Sequence, residues 1–427
     1  MKKNQPKNII IFVHKIPEGT IDIIRKYEKN NKIKYRIALL TDSKQHNKKT
    51  AKKLTKGVDI HLSCDTQSDI EIQKMLIPYE NEILSITSRS DASIPLFSKI
   101  IPHVPYLRAP STSSLKWATE KILMRRRFSI YDKKISPKYI LVKNLTKDTF
   151  KKIENRIGYP AIIKPTGLAE SRLVTIVYHH EELEKSLRRI FRNIKSLYKK
   201  HNGRWEPQVL VEQFMEGEMY SLDGHVTSRG KIYFCPLVHI KTGRSIGFDD
   251  FFGYAQMTPT NLRKSSIAAA QQVANKAVHA LGLRSTSVHI ELMKMERGWK
   301  IIELGPRLGG FRQDLYGSSY GINIVMNDIK VRIPEKISIP KKILGHTVAM
   351  KFFAKKEGIL TNLTGIKKAQ TLTSFQKITI NKKIGDRCTY AKNGGGSIFN
   401  IILFNKNRSQ LLADIRRLEQ SIKIETK

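Results

Sequence analysis

The first quarter of the chain alternates short apolar runs with polar, helix-forming stretches. NIIIFV at 8–13 and YRIALL at 35–40 are separated by TIDIIRKYEKN at 20–30, and the alternation continues through EILSITSRS at 82–90. Short apolar strands that alternate with helical segments are typical of a parallel sheet covered by helices. The pattern predicts a small α/β lobe with a buried first strand. It contains no G-x-G-x-x-G fingerprint, so independent dinucleotide binding in this lobe is not expected.

Strands alternate with longer helices in the middle of the chain. A Pro- and Ser-rich segment at 103–114 is typical of a linker into a helix at about 114–128. Further along, the pattern predicts the strands YILV, AIIKP, LVTIVY and VLVEQF, the helix SSIAAAQQVANKAVHALG, and a hairpin of HIELMKME and GWKIIEL. Short strands and one last helix follow from about 340. We therefore predict four domains, at residues 1–112, 113–208, 209–338 and 339–427.

Charge widens the range of partners, because 77 Lys and Arg against 37 Asp and Glu give a formal net charge of +40. A surface of this kind attracts polyanions through counterion release, so nucleic acid is a candidate partner. The basic residues are nevertheless spread along the chain, with only short clusters such as Arg125 to Arg127. A generally basic composition and real polyanion binding both stay open, and weak, non-specific polyanion binding is the expectation.

Hydropathy and the spacing of the cysteines predict the cellular compartment of the protein. No uninterrupted apolar stretch approaches the ~20 residues that a helix needs to cross a bilayer, so no membrane association is expected. Cys64, Cys235 and Cys388 are widely separated and fit neither a disulfide framework nor a zinc site. A reducing compartment is the simpler inference, and the predicted location is the cytoplasm.

The hairpin is the most informative local feature of the sequence. With a three-residue loop at 296–298 and Gly298 in the left-handed position, Met295 faces Trp299 and Glu291 lies directly opposite Glu303. Like charges opposed on neighbouring strands are destabilising unless a neutral or positive group intervenes. A hard divalent cation such as magnesium is one solution. A different register, in which each Glu is simply solvated, is the alternative.

Three basic residues are candidates for contacts with phosphate. Arg307 lies four positions after Glu303, where a guanidinium can stabilise charge on a transferring phosphoryl group. Lys164 ends the strand AIIKP and precedes a turn with Gly167 and Ser171, whose backbone donors can approach phosphate oxygens. Lys121 lies near the start of a helix. Each lysine taken singly is more often a surface residue.

Five ordered segments resemble the motifs of the ATP-grasp superfamily, over roughly residues 115–330. They are ATEKILMRRRF, YPAIIKPTGLAES, VLVEQFMEGEMYSLDG, HIELM and IIELGPRLGG. The resemblance implies an α/β fold, with an α+β ATP-grasp core between an N-terminal α/β lobe and a small C-terminal β-rich lobe. Five motifs in order are far more specific than any one of them.

The resemblance also implies roles for individual residues. Two lysines of the family contact ATP phosphates, and Lys121 and Lys164 match them, with Ser171 in the loop of the small lobe that covers the phosphates. A hinge in the family holds the adenine and ribose, and its matches are Glu212, Gln213, Phe214, Met215 and Glu218. The two acids of the hairpin bind magnesium, and here they are Glu291 and Glu303. Arg307 matches the arginine that binds the phosphoryl group or acyl phosphate.

Two departures from the family pattern concern the metal and the loop over the phosphates. Many relatives place Asn two positions after the second acid as a further metal ligand, where this chain has Gly305. One metal ion is therefore expected to be held less firmly. The loop TGLAESRL carries fewer glycines than is typical, and Arg172 can compensate.

The resemblance implies an ATP-dependent ligase that activates a carboxylate as an acyl phosphate and joins it to an amine. Amino-acid or dipeptide ligation is the preferred subtype, with ATP and Mg²⁺ as cofactors and Mn²⁺ as a substitute. The expected partners are small-molecule carboxylates and amines, and a homodimer is compatible with the sequence. Two alternatives stay open: a biotin-carboxylase-like enzyme, although no biotinyl segment of the AMKM kind is present, and a non-catalytic ATP-grasp scaffold that binds nucleic acid.

Overall fold

The computed structural model of the chain describes residues 7–44, 56–166, 174–200 and 207–427. Its first lobe is a four-stranded parallel sheet in the order β3-β2-β1-β4. The strands are β1 (Ile9–Val13), β2 (Arg36–Asp42), β3 (Ile60–Cys64) and β4 (Ile83–Thr87), and the described helices are α1 (Thr20–Asn31), α2 (Asp69–Leu76) and α3 (Ile94–Ile100). All five residues of β1 are buried, as the apolar pattern predicted.

Two helices connect the first lobe to the rest of the chain. They are α4 (Thr112–Thr119) and α5 (Lys121–Asp132). The prediction of one helix at about 114–128 was therefore wrong in one respect, because Glu120 adopts an extended conformation with φ −91° and ψ 106°. The break gives α5 its own direction and makes Lys121 its first residue.

The small lobe is a four-stranded antiparallel sheet in the order β5-β8-β6-β7. Its strands are β5 (Tyr139–Val142), β6 (Ala161–Pro165), β7 (Thr175–Val177) and β8 (Val209–Gln213), and its helices are α6 (Lys147–Arg156) and α7 (His180–Lys200). The four strands predicted for this region are thus confirmed. The loop with Gly167, Ser171 and Arg172 lies outside the described residues.

The large sheet has nine strands, eight of them in the order β14-β13-β9-β11-β12-β15-β19-β17, while β10 pairs with β9. The strands are β9 (Glu218–Val226), β10 (Ile232–Phe234), β11 (Val238–Thr242), β12 (Gly253–Thr258), β13 (Thr286–Met295), β14 (Gly298–Gly305), β15 (His346–Phe352), β17 (Phe375–Ile380) and β19 (Phe399–Asn405). A further sheet, in the order β18-β16-β20, contains β16 (Gly358–Thr364), β18 (Arg387–Cys388) and β20 (Lys423–Thr426). The remaining described α-helices are α8 (Lys264–Ala280), α9 (Arg312–Tyr320), α10 (Ile324–Lys330), α11 (Ile366–Gln370) and α12 (Arg408–Ser421).

The large sheet crosses the predicted boundary between 209–338 and 339–427. Strands β15, β17 and β19 come from the last segment and continue the sheet that begins with β9. Similarly, β8 follows the predicted boundary at 208 but belongs to the small-lobe sheet. The α/β fold class is confirmed, whereas the three domain boundaries stay proposals about chain segments.

The hairpin of β13 and β14 pairs Glu291 with Glu303, but not through the predicted turn. Met295 pairs with Gly298 and Lys294 with Trp299, so the loop has two residues and the predicted Met295–Trp299 pairing was wrong. Gly298 does adopt a positive φ, of 95°. A β-bulge at 302 then shifts the register by one residue and restores the opposition of the two acids.

Helix α10 joins the large sheet to the first lobe. Its residues Val325, Met326 and Ile329 pack in one buried cluster with Ile10 and Phe12 of β1. The carboxyl end of β4 is thereby held over the large sheet, and Thr87 donates a hydrogen bond to Asp328 with 2.7 Å between oxygens.

Among the described residues no helix is long and apolar enough to span a membrane. Cys64, Cys235 and Cys388 are buried, free thiols.

Candidate active site

Two acids and two basic side chains meet where the hairpin, the start of α5 and the first lobe come together. Glu291 and Glu303, which we call the acid pair, are cross-strand neighbours on β13 and β14. Lys121 approaches Glu303 with 2.7 Å between Nζ and Oε2. The side chains of Glu291 and Glu303 are 33% and 46% exposed, so both carboxylates are partly accessible to solvent.

Positive neighbours offset the repulsion within the acid pair. Burial alone would raise the pKa of Glu291, but His289, Arg307 and Lys121 together lower the pKa below its ordinary value. His289 approaches Glu291 with 3.7 Å between Nε2 and Oε1. Positive neighbours therefore stabilise the Glu291 carboxylate, and Lys121 pairs with Glu303 in the same arrangement.

A divalent cation fits the chemistry of the acid pair. Both carboxylates are hard oxygen donors on adjacent strands, with basic side chains beside them. Within the described ranges, no group of three or more His, Cys, Asp or Glu side chains is arranged to hold a metal ion. A cation here would need further oxygen ligands from substrate phosphates and water, which is a common arrangement for magnesium.

Arg307 is held by the first lobe. Its Nη2 donates to Oδ2 of Asp91 over 2.6 Å, and its Nη1 donates to the carbonyl of Leu308 over 3.1 Å. Burial would lower the pKa of Arg307, but Asp91 and the acid pair raise it. The guanidinium thus lies near Glu291 and Glu303 while its strongest contact is with Asp91, 216 residues earlier in the chain.

Lys164 belongs to a second ionic cluster, centred on Glu212. Lys164 Nζ lies 2.9 Å from Glu212 Oε2, and Arg125 Nε lies 2.6 Å from Glu212 Oε1. Burial would raise the pKa of Glu212, but the two cations lower it to about 2. Glu212 is buried, so in this structure its carboxylate orients Lys164 and is not a free acceptor for adenine.

Helix α5 connects the two clusters. Lys121 and Arg125 are four residues apart and so share one face of the helix. Arg125 Nη2 also donates to the carbonyl of Ile302, over 2.7 Å. Ile302 is the extra residue of the β-bulge beside Glu303. One helix therefore positions a lysine at the acid pair and an arginine at Glu212.

The predicted hinge joins the small-lobe sheet to the large sheet. Gln213 ends β8, and Glu218 begins β9. Phe214 N–H donates to the carbonyl of Pro160 over 3.2 Å, and the side chain of Met215 is buried. The Glu218 carboxylate is 56% exposed and accepts a hydrogen bond from Tyr220, with 3.0 Å between oxygens. This connection thus carries a buried apolar side chain and a partly exposed carboxylate.

Behind the acid pair lies a buried hydrogen-bond network that was not predicted from the sequence. Asp223 accepts from Arg312 Nε over 2.8 Å and from Gly309 N–H over 2.8 Å, and His289 Nδ1 lies 3.2 Å away. Burial would raise the pKa of Asp223, but His289 and Arg312 lower it well below its usual range. The network fixes the imidazole of His289 beneath Glu291.

The spacing of polar residues along β13 and β9 could have predicted part of this network. His289 and Glu291 are two residues apart on β13, and Asp223 pairs with His289 across the strands. Side chains at alternate strand positions share a face, so the three polar residues line one face of the sheet. By contrast, Arg312 follows a loop and gives no periodic signal.

The chain matches known proteins over this same region. Residues 157–314 match the ATP-grasp domain family. An uncharacterized protein, y4rH, of Sinorhizobium fredii (strain NBRC 101917 / NGR234) is 26% identical over 271 residues, which cover 62% of this chain and 53% of that protein. The alanine–anticapsin ligase of Bacillus amyloliquefaciens is 29% identical over 218 residues, which cover 48% of this chain and 44% of the ligase.

The fold matches a solved structure over nearly the whole chain. The crystal structure of L-amino acid ligase from Bacillus licheniformis superposes with a TM-score of 0.73 and 14% identity, covering 99% of this chain and 100% of that chain. The chain spans about half the length of the curated relatives that it matches, 53% and 44%. The similarity therefore extends through all lobes in fold, and in sequence only through part of each relative.

Proposed function

We propose that this chain, whose residues 157–314 match the ATP-grasp domain family, is an ATP-dependent ligase that joins a carboxylate to an amine. One observation carries the proposal. Lys121, Glu291, Glu303 and Arg307 form one ionic network although they come from a helix, two strands and the segment after them. A partly exposed network of this kind supplies both signs of charge that phosphoryl transfer needs.

ATP is proposed to bind between the small lobe and the large sheet. Met215 forms the apolar floor for adenine, with polar contacts from the backbone of Gln213 to Met215, and Glu218 is positioned for the ribose. Lys164, which Glu212 orients, reaches the phosphates from the small lobe. Lys121 reaches them from the start of α5, because its ammonium group already lies at the acid pair.

The acid pair is proposed to hold Mg²⁺, or Mn²⁺ in its place. When bound, the ion neutralises charge on the phosphate oxygens and orients them. Lys121 then exchanges its contact with Glu303 for contacts with phosphate oxygens. Arg307 supplies planar N–H donors to the transferring group, and Asp91 holds the guanidinium at the edge of the cleft until that group arrives.

The proposed reaction consists of two successive displacements. A carboxylate oxygen of the first substrate attacks the γ-phosphorus, and the bond to the β,γ-bridging oxygen breaks with release of ADP. The amine nitrogen of the second substrate then attacks the acyl carbon and gives up a proton to solvent, and the bond from that carbon to the phosphate oxygen breaks with release of phosphate. The protein contributes positioning and electrostatics, since no covalent intermediate with the chain is required.

Amino-acid or dipeptide ligation is the proposed subtype. The alanine–anticapsin ligase is a relative in sequence, and the L-amino acid ligase has a similar fold. A biotin-carboxylase-like reaction needs a biotinyl acceptor, and the chain carries no AMKM-type segment for one. A nucleic-acid-binding scaffold is favoured only by the formal charge of +40, while an intact ionic network at the acid pair favours catalysis.

The experiment is a turnover screen of the purified chain with ATP, Mg²⁺ and a pool of amino acids. ADP and phosphate should appear together with new amide products detected by mass spectrometry, and Arg307→Ala should abolish them. ATP hydrolysis without any amide product, in every pool tried, would contradict the ligase proposal. Nucleic-acid affinity measured at 150 mM salt tests the scaffold alternative, since binding by counterion release alone falls steeply with salt.

A further inference from the structure

The segment that follows β4 borders the proposed reaction site. Asp91, in a short 3₁₀ helix after this strand, contacts Arg307. Its Oδ1 also lies 3.5 Å from the position that a Cβ on Gly305 would occupy. Arg89 is two residues before Asp91, so their Cα atoms are separated by at most about 7 Å. A side chain at 89 therefore lies within reach of a small substrate at Arg307.

Arg89 carries donors that have no partner. Its Nε and Nη1 are buried, and neither makes a hydrogen bond within the described part of the chain. Arg332 nearby has an unpartnered, buried Nε as well. A buried donor without a hydrogen-bond partner destabilises the folded state, and the cost is larger when the donor belongs to a charged group. Such a donor is expected to have a water molecule or a ligand as its partner.

The carboxylate of Asp328, which interacts electrostatically with Arg89, already accepts hydrogen bonds from other residues. Asp328 accepts from Thr87 Oγ1, from Ser287 Oγ and from Arg332 Nη1, over 2.7, 2.5 and 2.8 Å. Burial raises the pKa of Asp328, but Arg332 and Arg89 lower it well below its usual range, so it carries a full charge. One carboxylate thus faces two guanidinium groups and hydrogen-bonds only one of them.

Histidine adds no charge that would change this balance. Burial lowers the pKa of His225 to about 4, so the imidazole is neutral at pH 7. Its Nδ1 lies 2.9 Å from Ser287 Oγ, which in turn donates to Asp328. The cluster of Arg89, Arg332 and Asp328 therefore has a net charge of +1. Its donors without hydrogen-bond partners belong to the two arginines.

We propose that Arg89 binds the carboxylate of the amine-bearing substrate, so that the acceptor is an α-amino acid or a short peptide. This inference rests on the ligase function proposed above. The reacting carboxylate of the other substrate belongs at Arg307 and the acid pair, because it meets the γ-phosphate there. Arg89 is two residues from Asp91, which contacts Arg307, so an anion bound by Arg89 would lie beside a substrate at Arg307.

The test lets amino acids and their amides compete as acceptors. Wild-type protein receives ATP, Mg²⁺ and equimolar pools of amino acids and isotope-labelled amino acid amides, and mass spectrometry counts dipeptides against dipeptide amides. The two acceptors differ in the carboxylate, so a charge-assisted site should favour the acids by about a hundredfold. Arg89→Met should reduce this preference below about tenfold.

Two further variants separate recognition from folding. Arg89→Lys keeps the charge and should keep part of the preference, and circular dichroism establishes that both Arg89 variants fold. Arg229→Met, at an exposed turn, changes the same residue type and should leave the preference of the wild type intact. Equal use of acids and amides by the wild type, or an unchanged preference in Arg89→Met, would overturn the assignment and leave water as the partner of Arg89.

Failure of the ligase proposal gives a different result. No product from either pool would refute the proposed function, and binding then decides the site by itself. Thermal unfolding is measured with each pool in the presence of Mg²⁺ and a non-hydrolysable ATP analogue. A carboxylate site predicts stabilisation of the wild type by amino acids but not by amides, and neither effect in Arg89→Met. No difference between the pools would refute the site.

Discussion

Asp91 of the first lobe and Arg307 after β14 form an ion pair, with 2.6 Å between Oδ2 and Nη2, across 216 residues of sequence. The pair links the first lobe to the segment that borders the acid pair. Both side chains are partly exposed, at 29% and 24%, so the pair contributes roughly 1 kcal/mol or less to stability. Its main effect is therefore on the orientation of the guanidinium.

Replacing Asp91 tests that role. Asp91→Asn keeps the shape but removes the charge, and turnover should fall about tenfold because the guanidinium is no longer fixed at the cleft. Arg307→Lys should fall by about a hundredfold, since a lysine cannot supply planar, paired donors. Steady-state kinetics measures both, and Asp132→Asn, which removes a surface ion pair with Lys276, is the matched control. Unchanged turnover in both test variants would contradict a role for this pair.

Gly305 offers a gain-of-function test at the acid pair. A Cβ there would meet Asp91 Oδ1 at 3.5 Å and Arg307 Cγ at 3.7 Å, which are ordinary contacts, so a Cβ fits without displacing a neighbour. Gly305→Asn adds an oxygen ligand and should lower the Mg²⁺ concentration for half-maximal turnover by about tenfold. Gly305→Ala adds the Cβ without the ligand and should leave that concentration near the wild-type value.

The measurement is a Mg²⁺ titration, followed by ADP release and by calorimetric binding of a non-hydrolysable ATP analogue. Binding gives a readout that does not depend on turnover. If Gly305→Asn and Gly305→Ala require the same Mg²⁺ concentration, the side chain at 305 does not reach a metal ion, and the proposed location of the ion is wrong.

Local pattern predicted the strands, the helices and the opposed acids, but not what surrounds them. The pairing of Glu291 with Glu303 was obtained through two errors that cancel, since the loop is one residue shorter and the bulge at Ile302 adds one residue back. Bulges have no reliable signature in a single sequence. The carbonyl of Ile302 accepts from Arg125, a tertiary contact across 177 residues that the hairpin sequence does not contain.

Ion pairs between segments that are distant in sequence could not be predicted either. Asp91 and Arg307, or Arg125 and Glu212, pair because the lobes bring them together, and their spacing in sequence carries no periodic signal. Lys121 was predicted as a phosphate ligand, while its contact with Glu303 depends on the break before α5 at Glu120. Sequence resemblance suggested which residues matter, and only the fold supplied their partners.

Glu212 should make the small lobe sensitive to acid. Burial would raise its pKa, but Arg125 and Lys164 lower it to about 2. A carboxyl whose pKa is lower in the folded state stabilises the fold above the unfolded-state pKa of ~4.3 and loses that contribution as pH falls toward 2. The free energy of unfolding, measured with urea from pH 7 to pH 3, should therefore begin to fall below about pH 4.5.

Glu212→Gln should remove this part of the pH dependence. At pH 7 it leaves two cations without their buried counter-ion, so the free energy of unfolding should fall by about 3–5 kcal/mol. Glu80→Gln changes the same functional group at an exposed position and should alter neither quantity. A Glu212→Gln protein with wild-type stability at pH 7 would show that Lys164 and Arg125 do not depend on this carboxylate.

The last prediction concerns Glu303, the more exposed member of the acid pair. Glu303→Gln keeps the shape and removes one charge from the proposed Mg²⁺ site, so turnover should fall on the order of a hundredfold or more. Stability should hardly change, because the ion pair with Lys121 that is lost is partly exposed and contributes about 0–1 kcal/mol. Removal of repulsion within the acid pair acts in the opposite direction.

Glu291→Gln should differ from Glu303→Gln in stability. Glu291 lies beside His289, whose imidazole Asp223 fixes from below, so this variant also disturbs a buried network. Melting temperature and ATP turnover are measured for both variants across a Mg²⁺ titration, with Glu296→Gln at the exposed hairpin turn as the charge-matched control. If Glu303→Gln unfolds the protein or keeps near-normal turnover at low Mg²⁺, Glu303 does not hold the metal ion. Because Gly305 supplies no side-chain ligand, Glu303 should remain the more critical acid for turnover.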